Sequence, residues 1–408
     1  MSTEPDVDVV VVGAGLAGLA AGRQLRAGGR TAVVLEASDG VGGRMRSEIV
    51  DGVTVDRGFQ LLNPAYPEAA RVLDLAALHL RPFDAGVLLA GSDGSHVVAD
   101  PRRRPGALVS SVRHAPGSRL EQARFAAYAV RLASGDGRRL LTGPDTSVGE
   151  AYAVFGELTD RVLAPFLSGV LFDDSMTTSR RFTDLLLRAF VRGTPCVPAR
   201  GMQAIPDQLA AGVDVRLGTP VRAVTPTSVT TDDGVLVARA VVVATDPATA
   251  GTLLPGLDLP VMRSGTTWWH LADAPGAALT GGRAVLVVDP DRRGPLVNSV
   301  VVSNAAPGYA THGRALVAST GLGTAGISQR EVRDHLTLLY GVDTTNWDEV
   351  AVQRITATVP AVPPGSPLRR AASHDGVFVA GDHRDTASIQ GALVSGRRIA
   401  DAVLRALA

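Results

Sequence analysis

DVVVVGAGLAG, residues 8–18, decides how this chain folds. Asp8–Val12 is an apolar, β-branched run, the pattern of a strand buried on both faces of a parallel sheet. Gly13, Gly15 and Gly18 follow at once in the G-x-G-x-x-G spacing. A helical stretch to about Ala27 comes next, closed by Gly28-Gly29, and a second β-branched run, Thr31–Leu35, ends on Glu36. Each position has a physical task. Gly13 permits a tight turn, Gly15 lets the backbone approach a pyrophosphate, and Gly18 lets helix and strand pack closely. The helix N-terminus faces the phosphates, and Glu36 accepts hydrogen bonds from an adenosine ribose. A lone glycine motif would say little; strand, fingerprint, helix, strand and acid in that order point to a dinucleotide site.

Gly42-Gly43-Arg44 follows the acid-tipped strand by a short loop, and SEIVDGVTVDRGFQ (residues 47–60) reads as a hairpin turned at Asp51-Gly52. That hairpin runs into Asp56-Arg57-Gly58-Phe59-Gln60. At the other end, GVFVAGD (residues 376–382) is again an apolar strand ending in Gly-Asp, and Ser388-Ile389-Gln390-Gly391-Ala392 open a long helix. Together these segments resemble the flavin amine oxidase/phytoene desaturase-type superfamily of FAD-dependent oxidoreductases, and the resemblance runs over the full length.

The resemblance implies non-covalent FAD as cofactor. Gly42 and Gly43 would pass close to the pyrophosphate and ribityl chain with Arg44 nearby, and Gly58, Phe59 and Gln60 would bring the backbone beneath the flavin ring. Gly381 and Asp382 would meet the ribityl or pyrophosphate region. The helix opened by Ser388, Ile389 and Gln390 would point its N-terminus at flavin N1/O2, which gathers negative charge on reduction. Ala199–Pro206 (ARGMQAIP) resembles the segment that returns the chain to the FAD domain, and Val221 matches a position whose backbone contacts adenine. A hairpin at Asp232-Asp233-Gly234 then leads to the strand around Ala240–Asp246.

The expected fold class is α/β: a Rossmann-like FAD-binding domain of the glutathione-reductase-like class, interleaved with a mixed α+β substrate domain. Residues 1–75, 196–262 and 355–408 would form the first, and 76–195 and 263–354 the second. The interval 76–195 carries a hairpin around Asp93-Gly94 and then helix-period sequence; 263–354 carries β-rich runs and a helix near 328–340.

Several features look like sites and are read otherwise. Gly321–Gly326 (GLGTAG) is a second G-x-G-x-x-G after a strand, but Ser328 and Glu331 form a capping box that starts the helix after the last glycine. A nucleotide fingerprint needs the helix to begin inside the motif, so one nucleotide site is expected. The run DPRRRP, residues 100–105, reads as a solvated loop, with a mouth for an anionic or membrane-bound substrate as the alternative. Trp268 and Trp269 would point opposite ways on a strand, one towards a pocket or both into core. No histidine–carboxylate spacing suggests a metal, and none is expected.

Composition narrows the chemistry. All 40 basic residues are Arg, with no Lys, and the 40 acids divide into 31 Asp and 9 Glu. Coding bias accounts for such a pattern, yet its consequences hold regardless of cause. Lysine Schiff bases, lysine general bases and P-loop lysines are excluded, and with them pyridoxal enzymes, kinases and P-loop NTPases. Net charge is zero, which gives a nucleic-acid partner no electrostatic support. Cys196 is the single cysteine and lies far in sequence from the terminal flavin segment, so neither a disulfide nor a covalent flavin link is expected. The longest uncharged apolar run, Val9–Gly22, is too short for a bilayer, and no charged leader region precedes it, so a cytoplasmic protein is expected, with peripheral membrane contact left open.

Flavin oxidation needs a C–H bond held near the ring more than it needs a protein base, so no catalytic residue is assigned. Gln60, His383 and Ser388 are the candidates beside the flavin elements. In the family, amine oxidases usually keep a lysine bonded through water to N5, and an aromatic residue three positions before the Gly-Ala of the last helix. Here there is no lysine, and that position is Ser388. An apolar, isoprenoid-like substrate oxidised at a CH–CH bond is therefore the expectation. An amine oxidase with a non-standard pocket and a non-redox flavin-dependent isomerase are the alternatives.

Overall fold

The computed structural model describes residues 5–100, 103, 113–310 and 313–408. Its first unit forms as the sequence dictates. The strand β1 (Val7–Val12), helix α1 (Leu16–Ala27) and strand β2 (Ala32–Leu35) follow one another, with Val9, Val10 and Val11 fully buried. β1 lies parallel to β2 on one side and to the Gly234–Val243 strand on the other, the doubly flanked position its unbroken valine run suits. Asp214–Arg216 extends the sheet in parallel beyond β2, and Val377–Val379 runs parallel to the end of Gly234–Val243. Antiparallel strands Ser228–Thr231 and Val221–Thr225 complete the other edge.

The last helix, Ile389–Ala406, lies against α1 although the two are at opposite ends of the chain. Gly396 makes this contact close: a Cβ there would overlap the Ala17 carbonyl oxygen. Gln24 Nε2 donates to Asp401 Oδ1 at 2.8 Å across the same seam. The N-terminal parts of the two helices are thereby held beside the C-terminal ends of the parallel strands, where open α/β sheets place their ligands, while Leu407 O accepts from Arg30 Nη2 at the opposite end.

Among the described residues a second sheet has seven strands, in the order Asp348–Pro360, Met262–Ala272, Ala315–Leu322, Leu296–Val301, Leu286–Val288, Gly86–Gly91, Gly94–Ala99. Only Leu286–Val288 and Gly86–Gly91 pair in parallel. One face of this sheet carries the helix Gln329–Tyr340, packed over Trp268, Val301 and Val317. The other face turns towards the nucleotide unit and towards a layer of helices, Arg119–Ser134, Val148–Tyr152, Ala164–Leu171 and Arg180–Arg192. Capping boxes at Ser118/Glu121 and Ser147/Glu150 start two of these helices, each cap contributing about 1 kcal/mol. Tyr152, Phe155 and Leu167 form the core of this layer.

The hairpin expected at Asp51-Gly52 is present, with φ of 49° and 79° at its two turn residues, as a type I′ turn requires. The hairpin near Asp93-Gly94 is also present, between Gly86–Gly91 and Gly94–Ala99. The GLGTAG run forms the end of the strand Ala315–Leu322 and a turn. Its helix begins only at Gln329, capped by Ser328 and Glu331, so the motif lacks the geometry of a phosphate loop. Most of DPRRRP lies outside the described residues.

Candidate functional site

The C-terminal end of β1 opens into a glycine cradle. Gly13 takes φ +100° and its N–H donates to the Leu35 carbonyl at 2.7 Å. A Cβ at Gly18 would collide with the Gly13 carbonyl oxygen, so Gly18 is a packing glycine. A Cβ at Gly15 would meet nothing within 4 Å, so this side of Gly15 faces open cavity. Gly42 closes on the cradle from across it: its N–H donates to Ala14 O at 2.8 Å, and it bridges Gly15. Gly42 and Gly43, at φ +118° and +59°, trace a path that a side chain would not readily follow.

Glu36 sits at the tip of β2 with Oε2 accepting from Ala14 N at 2.7 Å and Oε1 from Ser38 N at 2.9 Å. The Ser38 hydroxyl has one proton and lies within reach of both Glu36 Oε1 (2.7 Å) and Gly40 O (2.9 Å). When it donates to Gly40, the carboxylate keeps two lone-pair directions for outside donors, as a ribose diol needs.

The opposite wall joins distant segments. Arg44 Nη2 donates to Asp382 Oδ1 at 2.6 Å and Nη1 to Thr358 O at 2.8 Å. Gln60 Nε2 donates to the Arg44 and Arg57 carbonyls, both at 2.8 Å, so its side chain braces the loop. The Gly58 N–H donates to Gln353 Oε1 at 2.7 Å. Behind them, buried Asp56 accepts from Ser47 Oγ, Met202 N (2.9 Å) and Tyr309 OH (3.0 Å), tying the hairpin to the returning segment. Burial pushes the Asp56 carboxyl up to about 6, against these three donors. Ser388 caps the last helix, its Oγ accepting from Gly391 N at 3.1 Å. Ser388, Ile389 and Ala392 line the cavity, bringing the unpaired first-turn N–H groups of the helix to it.

All these groups border one continuous cavity of about 1330 Å³. That exceeds the ~300–1,000 Å³ of ordinary small-molecule pockets and suits an extended cofactor with a second molecule beside it. The far end is an apolar chamber between the helices and the second sheet, lined by Phe125, Leu163, Phe166, Val170, Leu187 and Phe190. Phe166 and Phe190 meet edge-on, their centroids 5.4 Å apart.

The structure brings Gly13, Gly15, Glu36, Gly42, Gly43, Arg44, Gly58, Phe59, Gln60, Val221, Gly381, Asp382, Ser388 and Ile389 to this one cavity. It does not bring His383 there. The short turn Asp382–Arg384 rotates the imidazole inward, 3% exposed, against Gly381, and burial holds it down at about 4. Gln390 also turns away, its Oε1 accepting from Glu68 N at 2.9 Å. Trp268 and Trp269 do face opposite ways, and both are core: Trp268 under the helix Gln329–Tyr340, Trp269 on the nucleotide side. Cys196 is buried and its thiol donates to Thr194 O at 3.1 Å. Among the described residues no group of His, Cys, Asp or Glu is arranged to hold a metal ion, and no helix is long and apolar enough to cross a membrane.

Sequence reasoning did not single out the chamber lining or the polar residues Thr267, Asn298 and Thr320, which also border the cavity. The helix Arg119–Ser134 offered one signal, since its apolar residues are abundant yet only Leu132 is buried in the structure.

A glycine cradle, a carboxylate at the tip of β2, a helix N-terminus and an adjoining apolar chamber suit the class of FAD-dependent oxidoreductases. The sequence profile of the flavin containing amine oxidoreductases matches residues 16–404, and the chain belongs to that family. Hydroxysqualene dehydroxylase of Rhodopseudomonas palustris is 31% identical over 441 aligned positions, 98% of both chains. Putrescine oxidase of Kocuria rosea is 54% identical over 67 residues, 16% of this chain and 14% of that protein. Cyclohexylamine oxidase from Brevibacterium oxydans has the same fold, with a TM-score of 0.74 at 18% identity over 99% of this chain and 100% of that one.

Proposed function

We propose that this FAD-dependent oxidoreductase acts on an apolar, isoprenoid-like substrate, as a desaturase or dehydrogenase of its CH–CH bonds. The observation that carries the reading is the chamber: its wall of Phe125, Leu163, Phe166, Val170, Leu187 and Phe190 is aliphatic and aromatic, with Asp84, Arg103 and Gln122 also bordering the cavity, and it continues directly from the flavin-side segments. FAD, when bound, supplies a two-electron acceptor for a hydride. Residues 1–75, 196–262 and 355–408 are assigned to holding it, with 76–195 and 263–354 shaping the chamber.

Within the site, Gly13, Gly15 and the α1 N-terminus take the pyrophosphate, and Glu36 with Val221 takes the adenosine end. Gly42, Gly43, Arg44, Gly381 and Asp382 take the middle of the cofactor. The Arg44–Asp382 pair leaves a guanidinium positioned beside the phosphates without an uncompensated charge. Gly58, Phe59 and Gln60 form the floor, and the capped helix after Ser388 favours negative charge at its N-terminus. The apolar chamber orients a C–H bond and keeps water out, which leaves little work for a protein acid or base. His383, neutral and buried, takes no part in proton transfer.

A second reading is favoured by the relative matched along the whole chain: removal of a hydroxyl from a C30 isoprenoid, with an external two-electron donor supplying the electrons. Product masses separate the two. FAD-loaded protein incubated with an acyclic C30 hydrocarbon and an electron acceptor should give a product two mass units lighter. The same protein with the hydroxylated chain and a reductant should, on the second reading, give the deoxygenated hydrocarbon. Turnover of neither, with turnover of amines, would overturn both.

A further inference from the structure

Asn298 is a buried amide with no evident structural task. It is 4% exposed, it borders the cavity, and its Oδ1 has no hydrogen-bond partner among the described residues. Buried amides are normally paired, because an unpaired one forfeits its hydration. Two features of the backbone nevertheless place it there.

The first is a β-bulge between Leu296 and Asn298. Residues two apart on a regular strand share a face. Here Leu296 packs under the helix Gln329–Tyr340, while Asn298 emerges on the cavity side. Bulges commonly re-aim a side chain in this way. The second is Gly169, on the helix Ala164–Leu171, where any Cβ would overlap Asn298 Nδ2. The helix thus leaves a notch for the amide.

Asn298 is not alone. It pairs across the ladder with Thr320, which pairs in turn with Thr267. Both threonines are 3% exposed and border the cavity, and the Thr267 hydroxyl lies against Gly58. Side chains opposite one another on adjacent strands stand about 5 Å apart at Cβ, so the three make a continuous polar row. It runs from the flavin-side floor into a chamber walled mainly by apolar side chains.

We propose that the Asn298–Thr320–Thr267 row recognises a neutral oxygen function, a hydroxyl or carbonyl, on an otherwise hydrocarbon substrate. The proposal rests on the chamber being the substrate site. An amide and two hydroxyls satisfy an uncharged donor and acceptor fully, whereas a desolvated ammonium needs a counter-charge that this row does not contain. Asn298 is a specificity-determining residue, because a site built to bond an oxygen discriminates against the analogue lacking it.

The test uses FAD-loaded protein and three probes in the same detergent: geranylgeraniol, the C20 hydrocarbon of the same skeleton, and geranylgeranylamine. Dissociation constants are read from the perturbed flavin spectrum. The alcohol should bind roughly tenfold tighter than the hydrocarbon, the worth of one good neutral hydrogen bond. Asn298→Leu should abolish that preference while the hydrocarbon binds as before, and Thr320→Val should reduce it. Equal binding of alcohol and hydrocarbon, or an unchanged preference in both variants, overturns the proposal and leaves the apolar-substrate reading standing. A response to the amine alone, or to none of the three, overturns both.

Discussion

Arg44 and Asp382, 338 residues apart in sequence, meet in an ion pair of 2.6 Å at the edge of the cavity. Asp382 is nearly buried and Arg44 is about a third exposed. The pair fixes the loop after β2 against the segment before the last helix, and on the proposed function it braces both halves of the cofactor site. Arg44→Ala should weaken FAD binding to the apoprotein about tenfold, the order expected for a partly buried charge-assisted contact. Asp382→Ala should do the same by releasing the arginine, and the double variant should cost little more than either alone. Fluorescence titration of apoprotein with FAD measures all three, and additive losses would contradict the coupling.

Two of the fingerprint glycines, Gly15 and Gly18, should fail differently. Gly15 has ordinary backbone angles, φ −71° and ψ 176°, and open space where a side chain would go. Gly15→Val should therefore leave a folded protein that does not retain FAD. Gly18→Val should not fold, because its side chain meets the Gly13 carbonyl inside the turn. Circular dichroism with flavin content of the purified variants reads both. A yellow Gly15→Val protein would remove the pyrophosphate from the place assigned to it.

His383 should make stability depend on pH. Its folded pKa lies at about 4, below the ordinary 6.5, because burial disfavours the imidazolium. The stabilisation is complete above pH 6.5, where both folded and unfolded forms are neutral, and is lost as pH falls towards 4. The difference corresponds to roughly 3 kcal/mol at most. Asp56 acts in the opposite sense: its raised carboxyl favours the fold at low pH and loses that advantage as pH rises through about 6. Urea midpoints measured from pH 7.5 down to 4.5 should fall less steeply in His383→Leu than in the parent protein. Parallel curves would show that the imidazole is solvated.

The sequence carried the nucleotide unit well, because each instruction there is local. The valine run of β1, the three glycines and Glu36 each act within a few residues of one another. The resemblance placed both chain ends at one site, but the packing of α1 against the last helix was not legible, since Gly396 gives no sign of its partner Ala17. His383 misled because it adjoins Gly381-Asp382; one short helical turn was enough to point it into the core. Asn298 was invisible for a tertiary reason. Its direction is set by a bulge and by the space over Gly169, and a regular alternating pattern would have buried it under the opposite face.

The chamber should tolerate volume change better than charge. Leu187→Ala should enlarge the cavity and cost about 2–4 kcal/mol in stability, with binding of apolar chains retained. Leu187→Asp should abolish that binding, because an ionised carboxylate there has no described partner and hydrates the chamber. Spectral titration with the C20 hydrocarbon distinguishes the two variants, and equal loss in both would point to a substrate path elsewhere.

On the proposed function, this FAD-dependent enzyme directs its flavin at a hydrocarbon chain and not at an amine. The direct measurement is anaerobic mixing of the FAD-loaded protein, under one set of conditions, with an isoprenoid panel and an amine panel that includes putrescine and cyclohexylamine, following the flavin absorbance. Bleaching by an acyclic isoprenoid, and none by the amines, is the expected result. Bleaching by an amine, with the isoprenoids inert, would contradict it.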